Sequence, residues 1–514
     1  MSLTYIVTID RDDDDMHAGS GEVITPQVLA LRWHLGLDQP DAPAAAPGCA
    51  TITVRSPDGT FSPERGGPQP GQQLRIRCDD GTLTRTLFTG MITHIEPVPG
   101  AQGTGLAVLH AVDRVGWLAE NPAQPGTWPE GMPVRADMLI DRLLDGVRGR
   151  RDVLRGFCLI DAPESIVDAT LIFGTDPIVR SLQAGRSTFL ALADPPGDAT
   201  SALQAVAAAA ATERGRFFFN RLGQAVFFNR HHALTAPHNG PPALVLADDM
   251  LDLRYGYGEA VVNRVVVRMT PRQIGPADSL LWSLGAPVRL RPGLPRRMVA
   301  RFHAADGQPV SALALTDPQP GTHFSAAALP DGSGGDRTDR VTVELRARDS
   351  RSVELLLRAG GRADVYLTAL DLRGTPLSGA DPALVIAEDG HSIARYGLRT
   401  LVLDLPMLTD VEQADAIAHH ELAIRAVPRG TVRTVTLDLA QHPAALALTL
   451  SDRVQVTESQ TGHSATYHIV AEIHTVDQGG LRHRVEWLLQ PAQSDRFFII
   501  DQHAPDSGRM LIPY

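Results

Sequence analysis

The stretch VRSPDGTFSPERGGPQPGQQLRIRCDDG, residues 54–81, carries two Asp-Gly turns with a strand between them. Asp58-Gly59 and Asp80-Gly81 put glycine where a tight turn needs a positive φ. Leu74, Ile76 and Cys78 alternate with Arg75 and Arg77, the period of a half-buried strand. Working outward, ATITV before the stretch and TLTRTLFTGMITHIEPV after it read as further strands, with Met91, Thr93 and Ile95 sharing a face. SLTYIVTID near the N-terminus and GLAVLHAVDRVGWL up to Leu118 complete the set. Short strands at this turn spacing predict a small antiparallel barrel or sandwich over residues 1–118.

Beyond it the pattern changes. RADMLIDRLLDGV (135–147) sets Met138, Leu139 and Leu143 on one helical face. DATSALQAVAAAAATERG (198–215) repeats Leu203, Val206, Ala207 and Ala210 at helical spacing, with Gly215 as the stop. RFFFNRLGQAVFFNR (216–230) then reads as a hairpin. Alternation puts Phe217 and Phe219 on one face and Phe218 on the other, and Phe227 and Phe228 split likewise. These five of the 14 phenylalanines are the candidate residues for packing between domains or subunits. One set is expected to cover Leu203, Val206 and Ala210. Burying an aromatic stabilises by about 2–3 kcal/mol, so the second face needs a cover, in this chain or in another copy.

Residues 119–249 thus form a helical and hairpin connecting domain. Residues 276–394 read as an inserted β-sandwich, between 250–275 and 395–495, which look like two halves of one unit. In the latter, TDVEQADAIAHHELAIRA predicts a helix with Thr409 and Glu412 as a capping box and Ala414, Ile417, Ala418 and Leu422 as its buried stripe. Residues 496–514 read as an extended C-terminal tail.

The chain has 514 residues, enough for two to four domains. Hydrophobic content of 43% and charge of 21% are ordinary for a globular protein. All 47 basic residues are arginine, and the net charge is −12, which argues against sequence-independent nucleic-acid binding. The three cysteines form no CxxC pair, the N-terminus lacks signal-peptide features, and no apolar run is long enough to span a bilayer.

Catalytic and ligand-binding patterns are missing. In AHHELAI the second histidine of H-E-x-x-H would fall at Ile424, and His419 and His420 diverge on a helix. His231 and His232, at a strand end, point to opposite faces. Gly332, Gly334 and Gly335 precede no helix, and Asp12–Asp15 lacks the spacing of a calcium loop. No cofactor, no metal and no enzymatic activity are expected.

The order of motifs resembles the hub and minor tail proteins of tailed phages. The D-G-x-[FY]-S-P turn is matched by Asp58, Gly59, Phe61, Ser62 and Pro63, followed by Pro70-Gly71 and the strand Leu74 to Arg77. Leu87, Phe88, Gly90 and Ile92 match the next element, and Ala111 to Leu118 the close of the domain. An Ala-rich helix, a Phe-rich hairpin, a VVNRV strand, SIARYGLR (Ser392 to Arg399) and a D-x-x-Q-A helix start follow in the family's order. The resemblance implies a mainly β fold with α+β parts: two tail-tube-like antiparallel barrels (1–118, and 250–275 plus 395–495), the helix-hairpin segment and the inserted sandwich. It further implies a homotrimeric ring at a virion tail tip or baseplate, assembled in the host cytoplasm, that adapts a sixfold tube to a threefold tip. Tail tube or distal tail proteins and tape measure or tip/spike proteins would be its partners. DNA would be passing cargo, repelled by an acidic lumen, and the chain itself would insert in no membrane. The sandwich reads as a spacer, because Trp282 is the only tryptophan in it. The competing reading is a particle-borne or secreted carbohydrate-active enzyme, or an adhesin, with β accessory domains, although no spacing singles out a carboxylate pair.

Overall fold

The computed structural model describes residues 3–12, 17, 19, 21–98, 105–121, 123, 134–146, 178–189, 200–235, 237–259, 261–348, 351–379, 382–405 and 407–492. Twelve strands form one sheet. Six come from the N-terminal part: β1 (Thr4–Ile9), β2 (Val28–Gly36), β3 (Cys49–Arg55), β4 (Gln73–Asp79), β5 (Thr84–Pro97) and β6 (Leu106–Val112). Six come from later in the chain: β7 (Leu244–Ala247), β8 (Asp252–Tyr257), β9 (Gly430–Asp438), β10 (Arg453–Glu458), β11 (His463–Asp477) and β12 (Arg482–Pro491). The first half runs β1-β4-β5-β6-β3-β2, and the second runs β7-β10-β11-β12-β9-β8. Every pairing is antiparallel except β7 with β10.

The halves join because β11 is long and bulged. One edge pairs with β12, with a register shift between Ile469 and Ala471. The other edge pairs first with β10, over His463 to His468, and then with β2, over Ala471 to Val476. The bulge turns Val470 out of the sheet's core into the neighbouring helical one, and its carbonyl accepts from the Leu37 amide at 2.9 Å. Gly36 ends the seam at φ +107, where a Cβ would lie 2.5 Å from the Val470 oxygen. Only glycine fits there. A single core runs across both halves, from Val7, Ile52 and Leu109 to Val435, Val485 and Trp487.

Three smaller units attach to the sheet. Helices α1 (Arg114–Glu120), α2 (Ala136–Gly146) and α3 (Ala202–Glu213) pack with the hairpin Arg216–Phe219/Ala225–Phe228. Ser201 and Gln204 close a capping box at the start of α3. The helix stops at Arg214, which takes the left-handed turn at φ 56, rather than at the expected Gly215. Gly215 is needed one residue later, where the hairpin backbone approaches: a Cβ there would meet the Phe228 carbonyl.

The second unit is a three-stranded sheet under one helix. Arg264–Met269 lies between Ala383–Glu388 and Thr400–Leu405. Val265, Val267 and Met269 bury against Ala414, Ile417 and Ala418 of α5 (Val411–Arg425), with Leu422 half-buried at the margin. Helix α4 (Gly390–Tyr396) links two of these strands. The cap of α5 is Asp410, whose carboxylate accepts from the Glu412 amide at 2.9 Å, in place of the expected Thr409. These strands and α5 stand outside the twelve-stranded sheet, so the second half draws on 244–257 and 430–491 rather than on all of 250–275 and 395–495.

The third unit is the insert, two small sheets over Arg272 to Gly379 around Phe302, Phe324, Leu355 and Leu367. Its flanking strands belong to the helix-covered sheet, which narrows the expected span of 276–394. Met269 and Ala383 are direct antiparallel partners, so the insert leaves and re-enters its host at one point. Its removal costs the host no long loop closure. Replacing residues 270–382 by a two-residue Asn-Gly turn should leave a cooperatively folding chain, with β-type circular dichroism and a melting transition within a few degrees of the parent.

Candidate functional surface: the polar face of the continuous sheet

Because the sheet passes through the seam without a break, one row of cross-strand partners crosses seven strands. It runs His94, His110, Thr51, Arg32, Thr475, Arg484, Asp438. The adjacent row on the same face runs Val112, Cys49, His34, Ile473, Glu486, Thr436, Asp252. Both rows are partly or fully exposed, while the residues between them are buried. This is the alternation of a sheet with one wet face. The face carries both signs. Arg484 lies opposite Asp438 and pairs with Asp477 at 3.4 Å, while Arg32 stands between Thr51 and Thr475.

Behind the face, at the seam, lies a buried polar chain. The Arg221 guanidinium, from the turn of the Phe hairpin, donates from Nε to Glu472 Oε1 at 2.7 Å and from a terminal nitrogen to Oε2 at 2.5 Å. It also donates to the carbonyls of Leu446 and Leu448 at 2.9 and 2.7 Å. Arg221 is 8% and Glu472 1% exposed, so this is an ion pair taken wholly out of water. Burial would raise the Glu472 carboxyl, but Arg221 and His474 pull it down to about 2. His474 Nε2 lies 3.5 Å from Glu472, and its ring stacks on Trp33 at 4.6 Å. His474 Nδ1 and His483 Nε2 are 2.8 Å apart, and His483 Nδ1 meets the Tyr5 hydroxyl at 2.7 Å. The chain links β11, β12 and β1 to the hairpin.

The phenylalanines pack inside the chain. Phe217, Phe219 and Phe227 are fully buried, and Phe217 meets Phe219 edge-on at 5.7 Å. On the other face Phe218 is buried edge-on against half-buried Phe228, which stacks on His232 at 3.5 Å. Phe217 also exchanges backbone hydrogen bonds with Pro43 and Ala45. The second face is therefore covered within one chain. In α3, Val206 and Ala210 are buried and Leu203 half-buried, in the same core. His232 lies in a 3-10 turn rather than at a strand end, buried, with Nδ1 2.7 Å from Gln183.

Sequence reading missed Arg221, Glu472, His474 and His483. The available signal was polar residues on inward positions of otherwise alternating strands, Glu472 and His474 in particular. Asp13–Asp15 and residues 496–514 lie outside the described residues.

No protein-family model and no curated protein matches the sequence. The solved structures it is similar to include tail proteins and a secretion-system component. A 43 kDa tail protein of prophage MuSo2 from Shewanella oneidensis matches at 11% identity and TM-score 0.48, over 96% of this chain and 99% of that one. A tail protein from Neisseria meningitidis matches at 9% and 0.44, over 95% and 97%. A component of the E. coli type VI secretion system, described as similar to phage tail proteins, matches at 9% and 0.33, over 96% and 77%. At TM-scores under 0.5 none of these likenesses decides a function.

Two outcomes follow from the buried chain. Arg221→Met leaves Glu472 charged and unpartnered, and should cost about 3–5 kcal/mol in denaturant unfolding, whereas Arg221→Met with Glu472→Leu should recover most of it. Burial also holds His232, His468 and His483 neutral, lowering them to about 3, 4 and 2. In the unfolded chain each titrates near 6.5. Below that pH the unfolded state binds more protons, so stability falls as pH drops from about 6.5, by up to about 2 kcal/mol per histidine at pH 5. Glu472 adds its own loss only between about 4.5 and 2. Denaturation midpoints at pH 7 and pH 5 measure the difference.

Proposed function

We propose that this chain is a structural hub subunit of a phage or phage-like tail, and that three copies close a ring around the tail channel. One observation carries the reading: two six-stranded halves are joined edge to edge within one chain, with a polar face continuous across both. Three such chains contribute six similar units, the number that lets a threefold tip meet a sixfold tube. The motif order of residues 54–118 and 392–399 points the same way.

The free β8 end of the sheet gives the ring its joint. Among the described residues β8 pairs with β9 alone, whereas the outer edge of β1 is partly occupied: the Ile9 amide donates to the Glu22 carbonyl, the Ile24 amide to the Val7 carbonyl and the Val7 amide to Thr25 Oγ1. A sheet of this length with an open edge invites pairing with another chain. Heterologous contact between the β8 edge of one copy and a different surface of the next closes a cyclic ring when the rotation fits.

In such a ring the polar face lines the channel. Arg484 pairs with Asp477 and has Asp438 as its row neighbour, while Arg32 stands singly between Thr51 and Thr475. Phosphates meet no uncompensated basic track, which suits DNA as passing cargo. The reading has no catalytic step. The ring would sit at a tail tip or baseplate, between tail tube or distal tail proteins and tip or spike proteins.

Light scattering of the purified chain should give the mass of three copies, and electron microscopy a ring with a central channel. A monomer at every concentration, or turnover of cell-wall polysaccharide abolished by one carboxylate substitution, would overturn the proposal.

A further inference from the structure

A register shift in the first half has a chemical consequence. Between Ile92 and His94, β5 carries one extra residue, Thr93, against β6. Ile92 faces Ala111 in the core, and His94 is then paired with His110 on the wet face. The expected shared face of Met91, Thr93 and Ile95 is broken by this bulge. In plain alternation Thr93 would oppose His110, and His94 would turn inward toward Leu109. The bulge thus re-aims a histidine, a use to which bulges are often put. Thr93 is held in place by its hydroxyl, 3.2 Å from the His110 carbonyl.

The result is two imidazoles and a carboxylate on neighbouring positions. The rings of His94 and His110 stack at 4.1 Å, 5° from parallel. Glu96, two residues on from His94 and on the same face, places Oε1 3.4 Å from His94 Nε2 and Oε2 3.7 Å from His110 Nε2. One ligand atom from each lies within 4.8 Å of the others. A tetrahedral metal with nitrogen and oxygen ligands at about 2.0–2.2 Å spaces its ligand atoms about 3.3 Å apart. Glu96 already brings one oxygen to within about half an ångström of that spacing from each imidazole, Oε1 for His94 and Oε2 for His110, and the exposed His94 and Glu96 side chains can rotate to share one ion.

Two further observations point to a ligand. His110 Nε2 is shielded from solvent and makes no hydrogen bond. Thr93 Oγ1 lies 3.3 Å from His94 Nδ1, at the long end of a hydrogen bond, which leaves Nε2 for a metal. The other close carboxylate group, Asp10, Asp12 and Glu22, differs: Glu22 is already engaged by the amides of Arg11 and Gly19.

We infer that His94, Glu96 and His110 form a binding site for a divalent transition metal, Zn²⁺ by ligand chemistry, with the remaining coordination position open to water. Two imidazoles and one carboxylate suit this class of ion rather than calcium or magnesium, which take oxygen ligands. The bound ion staples β5 to β6 where the bulge has interrupted their ladder. The inference is independent of the ring proposed above.

The test uses the full chain and Zn²⁺ alone, in competition with a chromophoric chelator. The expected result is one equivalent bound per chain, weakened at least tenfold by His94→Ala and by Glu96→Gln, and abolished in His94→Ala with His110→Ala. Co²⁺ should give a visible d–d absorption that is lost in the same double variant. His94 and Glu96 are exposed, and circular dichroism confirms that the single variants fold. Absence of stoichiometric binding by the parent chain, or equal binding by parent and the two single variants, overturns the inference.

Discussion

The twelve-stranded sheet depends on one ion pair that has no water around it. Arg221 reaches from a hairpin turn into the seam between the two halves and meets Glu472 through two hydrogen bonds, while its remaining donors take the Leu446 and Leu448 carbonyls. Removing two charges from water is costly, and the return is adequate only when all donors and acceptors are used. Here they are. The geometry tolerates few alternatives, so the pair fixes where the hairpin unit docks and which way β11 faces as it passes from β10 to β2. A hydrophobic plug would fill the same volume without setting that register.

Gly36 and Val470 complete the constraint from the backbone side. The seam closes at a positive-φ glycine whose missing Cβ lets the Val470 carbonyl approach, and the bulge sends the Val470 side chain into the helical core. A backbone device and a side-chain device therefore act at the same crossing. The crossing is what turns two six-stranded halves into one surface. Without it the polar rows through Arg32 and Thr475 would end at two separate edges, each exposed to unwanted pairing.

Much of the local structure was legible in the sequence, because alternation and turn chemistry are local. The strand Leu74 to Cys78 and its Asp-Gly turn, the stripe Ala414, Ile417 and Ala418, and the two-faced hairpin of Phe217 to Phe228 all rest on periods of two or 3.6 residues. The structure departs where a long-range partner decides. Asp410 caps α5 although Thr409 with Glu412 makes the better local motif, and Arg214 takes the turn that Gly215 was expected to make. Arg264–Met269 has the composition of any buried strand, and nothing within it tells that its partners are Ala383–Glu388 and Thr400–Leu405 rather than the large sheet. The buried chain of Arg221, Glu472, His474 and His483 was hidden for the same reason. Its members are separated by up to 262 positions along the sequence, and although Glu472 and His474 stand at inward positions of their strand, nothing local names Arg221 or His483 as their partners.

The bulge at Thr93 shows how small a departure from alternation redirects chemistry. A one-residue change in register exchanges the faces of everything that follows, so it moves His94 from the core to the wet face and brings Glu96 with it. The same shift turns Ile95 inward, opposite Leu109 and against the core. The bulge falls after the fully buried stretch of β5, Thr86 to Gly90 and Ile92. Beyond it Ile95 alone packs at the core margin, and His94 and Glu96 are free of packing duty. The insert obeys the same logic at larger scale: it leaves between Met269 and Ala383, at the end of a paired ladder, where added chain disturbs no buried contact. In both cases departures from regularity are confined to positions where the core no longer sets the pattern, which is where a sheet can carry added function without losing its fold.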